Sequence, residues 1–495
     1  MKCFPHKIVL AAHLAPALLC CVSCEPTVAK TKGGIAEQPA INRPPRLETI
    51  LSPSDLYYGI YLQGNKVGWM RSRVKIDASV TTQLNLEASV RGLGQVSKIS
   101  IDESRVYDGS SRRIQSLQFS QRAQTGEMSV RVERQPKGLN AVVSAGGVEK
   151  SMLLQSDDSL DNLEGVKELA SRAKVGESIV VRHFDASLLK TVKIRHAIVA
   201  VEERVFAGVP TATVQMESTY EELGITETSW VDREGRLLES KVGGFFVARL
   251  EPESVAKKLD YSQDILISAV VKAPGDFSGA QQASELSLVM EGFGATTPPA
   301  SKRQGVKLDG KRTHLKLRRE KAPRGLFVPH KNRDHADLQS TPFIQSESPL
   351  IKEQVAKLID GPTPMMEVLQ ILTSFVYRHI RDEYVPSYSN ALEALNSARG
   401  DCTEHSVLFV ALARALGLPA RVAVGVAYWP AGKGFGWHAW AEVLHQDEWI
   451  SVDPTWNQPV ADVTHIKLAG GSPAEQARIV MLLGELTILE ASFGG

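Results

Sequence analysis

One cysteine, one histidine and one aspartate toward the end of the chain have the types and the order that thiol chemistry needs. Cys402 stands in Arg399-Gly-Asp-Cys-Thr-Glu-His, His438 in Trp437-His-Ala-Trp-Ala-Glu-Val, and Asp453 in Trp449-Ile-Ser-Val-Asp-Pro-Thr-Trp. A thiolate is a nucleophile, an imidazole can take its proton, and a carboxylate can fix the tautomer of that imidazole. The chemistry open to such a set is acyl transfer: attack on an amide carbonyl, an acyl-enzyme, and its resolution by water or an amine. Of the five cysteines, Cys3, Cys20, Cys21 and Cys24 crowd the N-terminus and only Cys402 lies downstream. A leftover cysteine in an exported chain is a candidate reactive group, although free cysteines also serve as small buried hydrophobes.

The neighbouring residues say how these three are positioned. Gly400-Asp401 breaks the preceding structure, and apolar residues at 407, 408, 411, 412, 415 and 416 form a helical stripe that Gly417 and Pro419 end. Cys402 is therefore expected in the first turn of a mostly buried helix. There the N–H groups and dipole favour a thiolate and lower its pKa below the free value of about 8.5. Arg421 to Tyr428 reads as a strand, followed by a loop from Pro430 to Gly436. Trp437 to Val443 reads as an alternating strand with His438, Trp440 and Glu442 on one side and Ala439, Ala441 and Val443 on the other. A turn at Gln446-Asp447 brings the chain back, so that His438 and Asp453 lie close together in a hairpin. Upstream, Pro349 to Leu358 and Pro364 to Ile380 have helical spacing.

These pieces resemble the transglutaminase-like cysteine enzymes in their bacterial exported form. The resemblance rests on Gly400-Asp-Cys-Thr-Glu-His405, Gly417-Leu-Pro-Ala-Arg-Val422, His438-Ala-Trp-Ala-Glu-Val443, Trp449 to Trp456 and Asp462-Val-Thr-His-Ile466, in order, over roughly 345–470. It implies a papain-like α+β core with Cys402 as nucleophile, His438 as base and Asp453 as orienter. It also implies hydrolysis of peptide or amide bonds, with protein-glutamine cross-linking as the alternative outcome. No Asp-x-Asp-x-Asp-Gly calcium loop occurs in the sequence, and no cofactor is called for. A zinc site at Cys402, His405 and His438 would lack a second cysteine. His405 is a rival base, though a helix residue bonded to Glu404 or backbone is the plainer reading. Trp440 and Trp456 read first as core packing and Glu442 as a salt bridge. For the oxyanion, the backbone N–H of Cys402 is one donor and Tyr384 a candidate second.

The rest of the chain sets the context. With 495 residues, 57 Lys+Arg against 56 Asp+Glu and a net charge of +1, the balance argues against nucleic acid as a partner. Lys2 and Lys7 precede an apolar run from Ile8 to Val22 that ends in Cys21-Val-Ser-Cys24. This is a signal-peptide pattern resembling a lipoprotein signal, with Cys24 as lipidation candidate. The expected location is the periplasm or cell envelope, attached to a membrane through an N-terminal lipid. Residues 25–53 read as a tether and 54–270 as an antiparallel β-rich domain of short alternating runs, with a helical insert at Leu160 to Ala173 and a return strand beginning over Leu237 to Leu250. Residues 271–341 read as a β extension or linker. It holds a basic stretch, Lys302 to Arg324, suited to an anionic surface or, more plainly, to the solvated face of a hairpin. Residues 342–495 form the transglutaminase-like domain. The fold class is α+β and the expected partner a protein or peptide substrate. A different class of function would make the β domain the working part, binding an envelope component beside a non-catalytic C-terminal module.

Overall fold

A computed structural model describes residues 51–494 except 93–94, 124–125, 146, 155–157, 222, 244–245, 260–269, 295, 384–389 and 471–476. The signal segment with Cys24, most of the tether and Tyr384 lie outside the described residues.

The period-2 pattern of the first half yields fourteen strands among the described residues, β1 to β14, in one antiparallel sheet between Ser54 and Glu251. Strand β7 (Gly138–Ala145) shows the cause: it alternates half-buried and buried residues along its whole length, with Leu139, Ala141, Val143 and Ala145 inward. Neighbours in sequence are neighbours in the sheet, except that β8 (Val148–Leu154) and β9 (Ser178–Asp185) are parted and β1 (Ser54–Leu62) pairs instead with β14 (Phe246–Glu251). The two edges are then β8 and β9, and α1 (Leu160–Arg172) lies between them in sequence. Leu160, Leu163, Val166, Leu169 and Ala170 of α1 are buried in the same apolar core as both halves of the sheet. Arg105 of β4 (Gln95–Asp108) donates to Glu103, Asp158 and the Phe184 carbonyl of β9, so strands distant in sheet order face each other across the interior. All of these side chains are buried, and removing one partner of such a set costs about 3–5 kcal/mol. The expected return strand is two strands, β13 (Leu237–Val242) and β14, parted at Gly243, whose φ of 59° turns the chain.

The C-terminal half has a helical layer and a sheet. Helix α5 (Cys402–Leu416) packs against α2 (Pro349–Leu358), α3 (Met365–His379) and α4 (Ala391–Ser397) on one side. On the other it meets β21 (Ala420–Trp429) and β22 (Gly434–His445). Every residue from Cys402 to Ala413 is buried, the polar Thr403 to Ser406 included. In the sheet, β22 lies between β15 (Val271–Lys272) and β21, β21 is followed by β24 (Ile466–Gly470), and β23 (Glu448–Val452) also pairs with β22.

Residues after the first sheet are built into this half. Strand β15 extends the sheet that carries His438, and β16 (Glu285–Glu291), β17 (Gln304–Asp309) and β18 (Arg312–Arg318) form a sheet with the C-terminal β25 (Thr487–Gly494). Much of the basic stretch lies on the β17–β18 hairpin or beside it and is paired: Lys302 with Glu448, Arg303 with Glu320, and Lys316 and Arg318 with Glu285. No described helix is long and apolar enough to cross a membrane.

Candidate active site

Local sequence places the thiol. Asp401 caps α5: its side chain accepts the Thr403 amide at 2.9 Å, and the Glu404 carboxylate accepts the Asp401 amide at 2.7 Å, completing a capping box. Cys402 is thus the first residue of the helix. It is 2% exposed, and its Sγ accepts the backbone N–H of Ala439 at 3.1 Å. That bond seats the sulfur against β22, at the residue after His438.

The pKa expected at a helix start is overturned. Burial pushes the Cys402 thiol well above its ordinary value, the carboxylates of Asp401, Glu404 and Asp453 add to this, and the Ala439 amide opposes it. A partial dipole charge at the helix end is outweighed by loss of water and by the acids that cap the helix.

The hairpin of β22 and β23 turns at Gln446 and Asp447, both in the left-handed region at φ 50° and 61°, and pairs Ala441 with Val452. Asp453 follows directly. Its backbone bonds Gln458 in both directions at 2.8 Å, and its Oδ1 accepts the amides of Thr455 at 2.8 Å and Trp456 at 3.2 Å. Its Oδ2 is left to accept from His438 Nε2 at 2.9 Å. Burial alone would raise the Asp453 pKa, but the His438 and His465 imidazoles overcome this and hold it well below the carboxylate range. Because a carboxylate only accepts, the neutral His438 ring carries its proton on Nε2. Its Nδ1, buried and without a hydrogen-bond partner, keeps a lone pair. The half-buried Trp456 indole stacks on the His438 ring at 4.4 Å and 12°, while buried Trp440 lies 6.2 Å away.

Three other side chains resolve as follows. His405 directs Nδ1 to the Asp401 carbonyl at 2.6 Å, and burial lowers its pKa. Glu442 is held by Arg421 at 2.7 Å and Lys467 at 2.5 Å, as a salt bridge. Sequence reasoning gave no role to His465, although Asp462-Val-Thr-His-Ile stood among the motifs. In the structure His465 Nε2 lies 3.1 Å from Asp453 Oδ2, and Nδ1 lies 3.2 Å from Asp462 Oδ1. Strand β24 brings it there, because Gly425 of β21 sits where a Cβ would come within 1.9 Å of the Ile466 carbonyl oxygen. His438, Asp453 and His465 hold three potential ligand atoms within 4.8 Å of one another. Both imidazoles aim at the same carboxylate oxygen, however, which is the geometry of a hydrogen-bonded chain.

Residues 352–454 match the transglutaminase-like superfamily, so the C-terminal half contains a transglutaminase-like domain. No curated protein matches the chain. Three of the solved structures that show likeness are the following. A provisionally named cysteine protease of Cytophaga hutchinsonii is 16% identical over 43% of this chain and 83% of its own, with a TM-score of 0.28. A β-barrel-like protein of Brucella abortus, from a domain family of unknown function, is 13% identical over 40% of this chain and 95% of its own, at 0.33. A provisionally named protease of Parabacteroides distasonis is 10% identical over 74% of this chain and 65% of its own, at 0.19.

Proposed function

We propose that the chain is an exported acyl-transfer enzyme that hydrolyses peptide or amide bonds, with Cys402 as nucleophile, His438 as base and Asp453 as orienter. The observation that carries this reading is the His438 ring: Nε2 is engaged by Asp453, while Nδ1 is buried without a partner, next to the residue whose amide holds Sγ. The thiol proton passes to His438 Nδ1 as sulfur attacks the carbonyl carbon. The backbone N–H of Cys402 stabilises the oxyanion. The imidazolium then protonates the leaving amine as the C–N bond breaks, giving a thioester. Water gives a proton to Nδ1 and adds to the thioester, and sulfur leaves as the carboxylic acid forms and regains its proton. The choice of water over a lysine amine follows the exported bacterial branch that the motifs resemble.

The test is incubation of the full chain with cell-envelope peptides, with and without amine donors, read by mass spectrometry beside Cys402→Ala. Cleaved products in the wild type alone support hydrolysis. Amine adducts in place of cleavage replace it with cross-linking, and no Cys402-dependent product overturns the enzyme reading.

Localisation belongs to the same proposal. The mature chain is expected to begin at an acylated Cys24 and to fractionate with membranes, whereas Cys24→Ser moves to the soluble fraction. A Ser variant that stays with membranes shifts the attachment to another part of the chain.

A further inference from the structure

His465 is fully buried between two carboxylates. Its Nε2 faces Asp453 Oδ2 at 3.1 Å, and its Nδ1 faces Asp462 Oδ1 at 3.2 Å and the Asp462 carbonyl at 3.1 Å. All three partners are acceptors, so both ring nitrogens must carry hydrogen for the contacts to be bonds. Asp462 is itself fixed: its Oδ1 accepts the Thr464 hydroxyl at 2.5 Å and its Oδ2 accepts the Gln458 amide at 2.9 Å. Arg303 of the basic stretch donates to the Asp462 carbonyl, and Gln304 bonds Lys467 through both its amide oxygen and its nitrogen. The loop that carries His465 is therefore held from outside the residues 352–454 that match the superfamily.

We propose that His465 is a positioning residue of the active site: a permanent imidazolium that fixes the Asp453 carboxylate and sets the charge His438 experiences. This inference rests on the proposed roles of Cys402, His438 and Asp453. Without His465, Asp453 would present a full negative charge to His438 alone and hold that imidazolium too firmly to return its proton. With it, one carboxylate is shared by two N–H donors, and the chain from Cys402 through His438, Asp453 and His465 to Asp462 alternates in charge once the ion pair forms. Burial works against the His465 charge, yet Asp462 and Asp453 overcome it and push its pKa up to about 9. The charged and titratable groups around it are Asp453 after β23, Asp462 on its own loop and His438 on β22, with Arg303 bonded to the Asp462 carbonyl. The rings of Trp440 and Trp456 meet it in edge-type contacts, each centred 5.2 Å from the imidazole.

Two measurements test it. In the first, the rate of Cys402 alkylation by iodoacetamide is followed against pH in wild type and His465→Gln, which keeps an N–H donor toward Asp453 but no charge. Removing a positive charge raises the pKa of both neighbours, so both limbs of the profile move to higher pH. For ring centres 5.5 Å apart the shift is roughly one to two pH units at an effective dielectric of about 20–40. A role in packing alone leaves the limbs in place. The second measurement needs no active enzyme: imidazole ¹⁵N spectra of the wild type and of Cys402→Ala should show one ring doubly protonated at pH 8 that titrates lower in Asp462→Asn. No such ring in either protein overturns the proposal, as do unmoved limbs in a reactive His465→Gln. If Cys402 reacts no faster than a free thiol, the catalytic reading fails and the spectra alone decide the state of His465.

Discussion

Cys402→Ala and Cys402→Ser lose activity by roughly 10⁴–10⁶-fold, the scale on which removing the nucleophile of an acyl-transfer triad is felt. The serine hydroxyl occupies the place of the thiol and can still accept the Ala439 amide, which now bonds Sγ at 3.1 Å. It does not ionise in reach of His438, however, and burial that already holds the Cys402 thiol protonated holds a hydroxyl more firmly. The two variants should separate in stability rather than activity. Alanine leaves the buried Ala439 amide without its acceptor, a cost of about 1–3 kcal/mol, whereas serine stays near wild type. Peptide turnover and chemical denaturation of both variants check the pair of expectations. Either variant within tenfold of the wild-type rate would show that sulfur is not the nucleophile.

Asp453→Asn is expected to cost about 10³–10⁴ in rate, close to the loss seen when the orienter of a Ser-His-Asp site is made an amide. The hydrogen bonds explain why the loss is large. Oδ1 accepts from the amides of Thr455 and Trp456, and Oδ2 accepts from the Nε2 atoms of His438 and His465. Every neighbour is a donor, so an asparagine NH₂ meets donors whichever way it turns. If it faces the rings, His438 must turn its Nε2 lone pair toward the amide and move its proton to Nδ1, the nitrogen that has to accept from the thiol. If it faces the loop, the two backbone amides lose their acceptor and the Pro454 turn is loosened. Either way His465 loses a counter-ion in a fully buried place, adding about 3–5 kcal/mol of destabilisation. The sign with pH follows from the depressed Asp453 pKa: this stabilisation is present above the ordinary carboxylate range and is lost as pH falls through the folded-state value. Asp453→Asn should therefore lie below the wild type in denaturant stability at neutral pH, and the gap should narrow in acid. A variant with less than tenfold loss of rate and an unchanged pH profile would make Asp453 a turn residue only.

What the sequence determined by itself was local. Gly400-Asp401, the apolar stripe from 407 to 416 and Gly417 with Pro419 marked the helix that begins at Cys402, because caps, period and stop signals all act within a few residues. Alternation and the Gln446-Asp447 turn gave the hairpin that brings His438 to Asp453, and the same alternation made the first half an antiparallel sheet. The tertiary structure decided what depends on distant partners. The direction of the Cys402 pKa shift follows from how completely other layers exclude water, and the acids that cap the helix also raise the thiol. Residues 271–341 read as a β extension or linker, because periodicity tells which face a strand buries and not which strand it joins; within them β15 pairs with β22 and β16 with β25. His465 reaches Asp453 only because Gly425 admits the backbone of β24, an approach set by two strands about forty residues apart. Local propensity is written in neighbouring side chains, whereas burial, charge pairing and the meeting of two carboxylates on one imidazole exist only when remote segments close on each other.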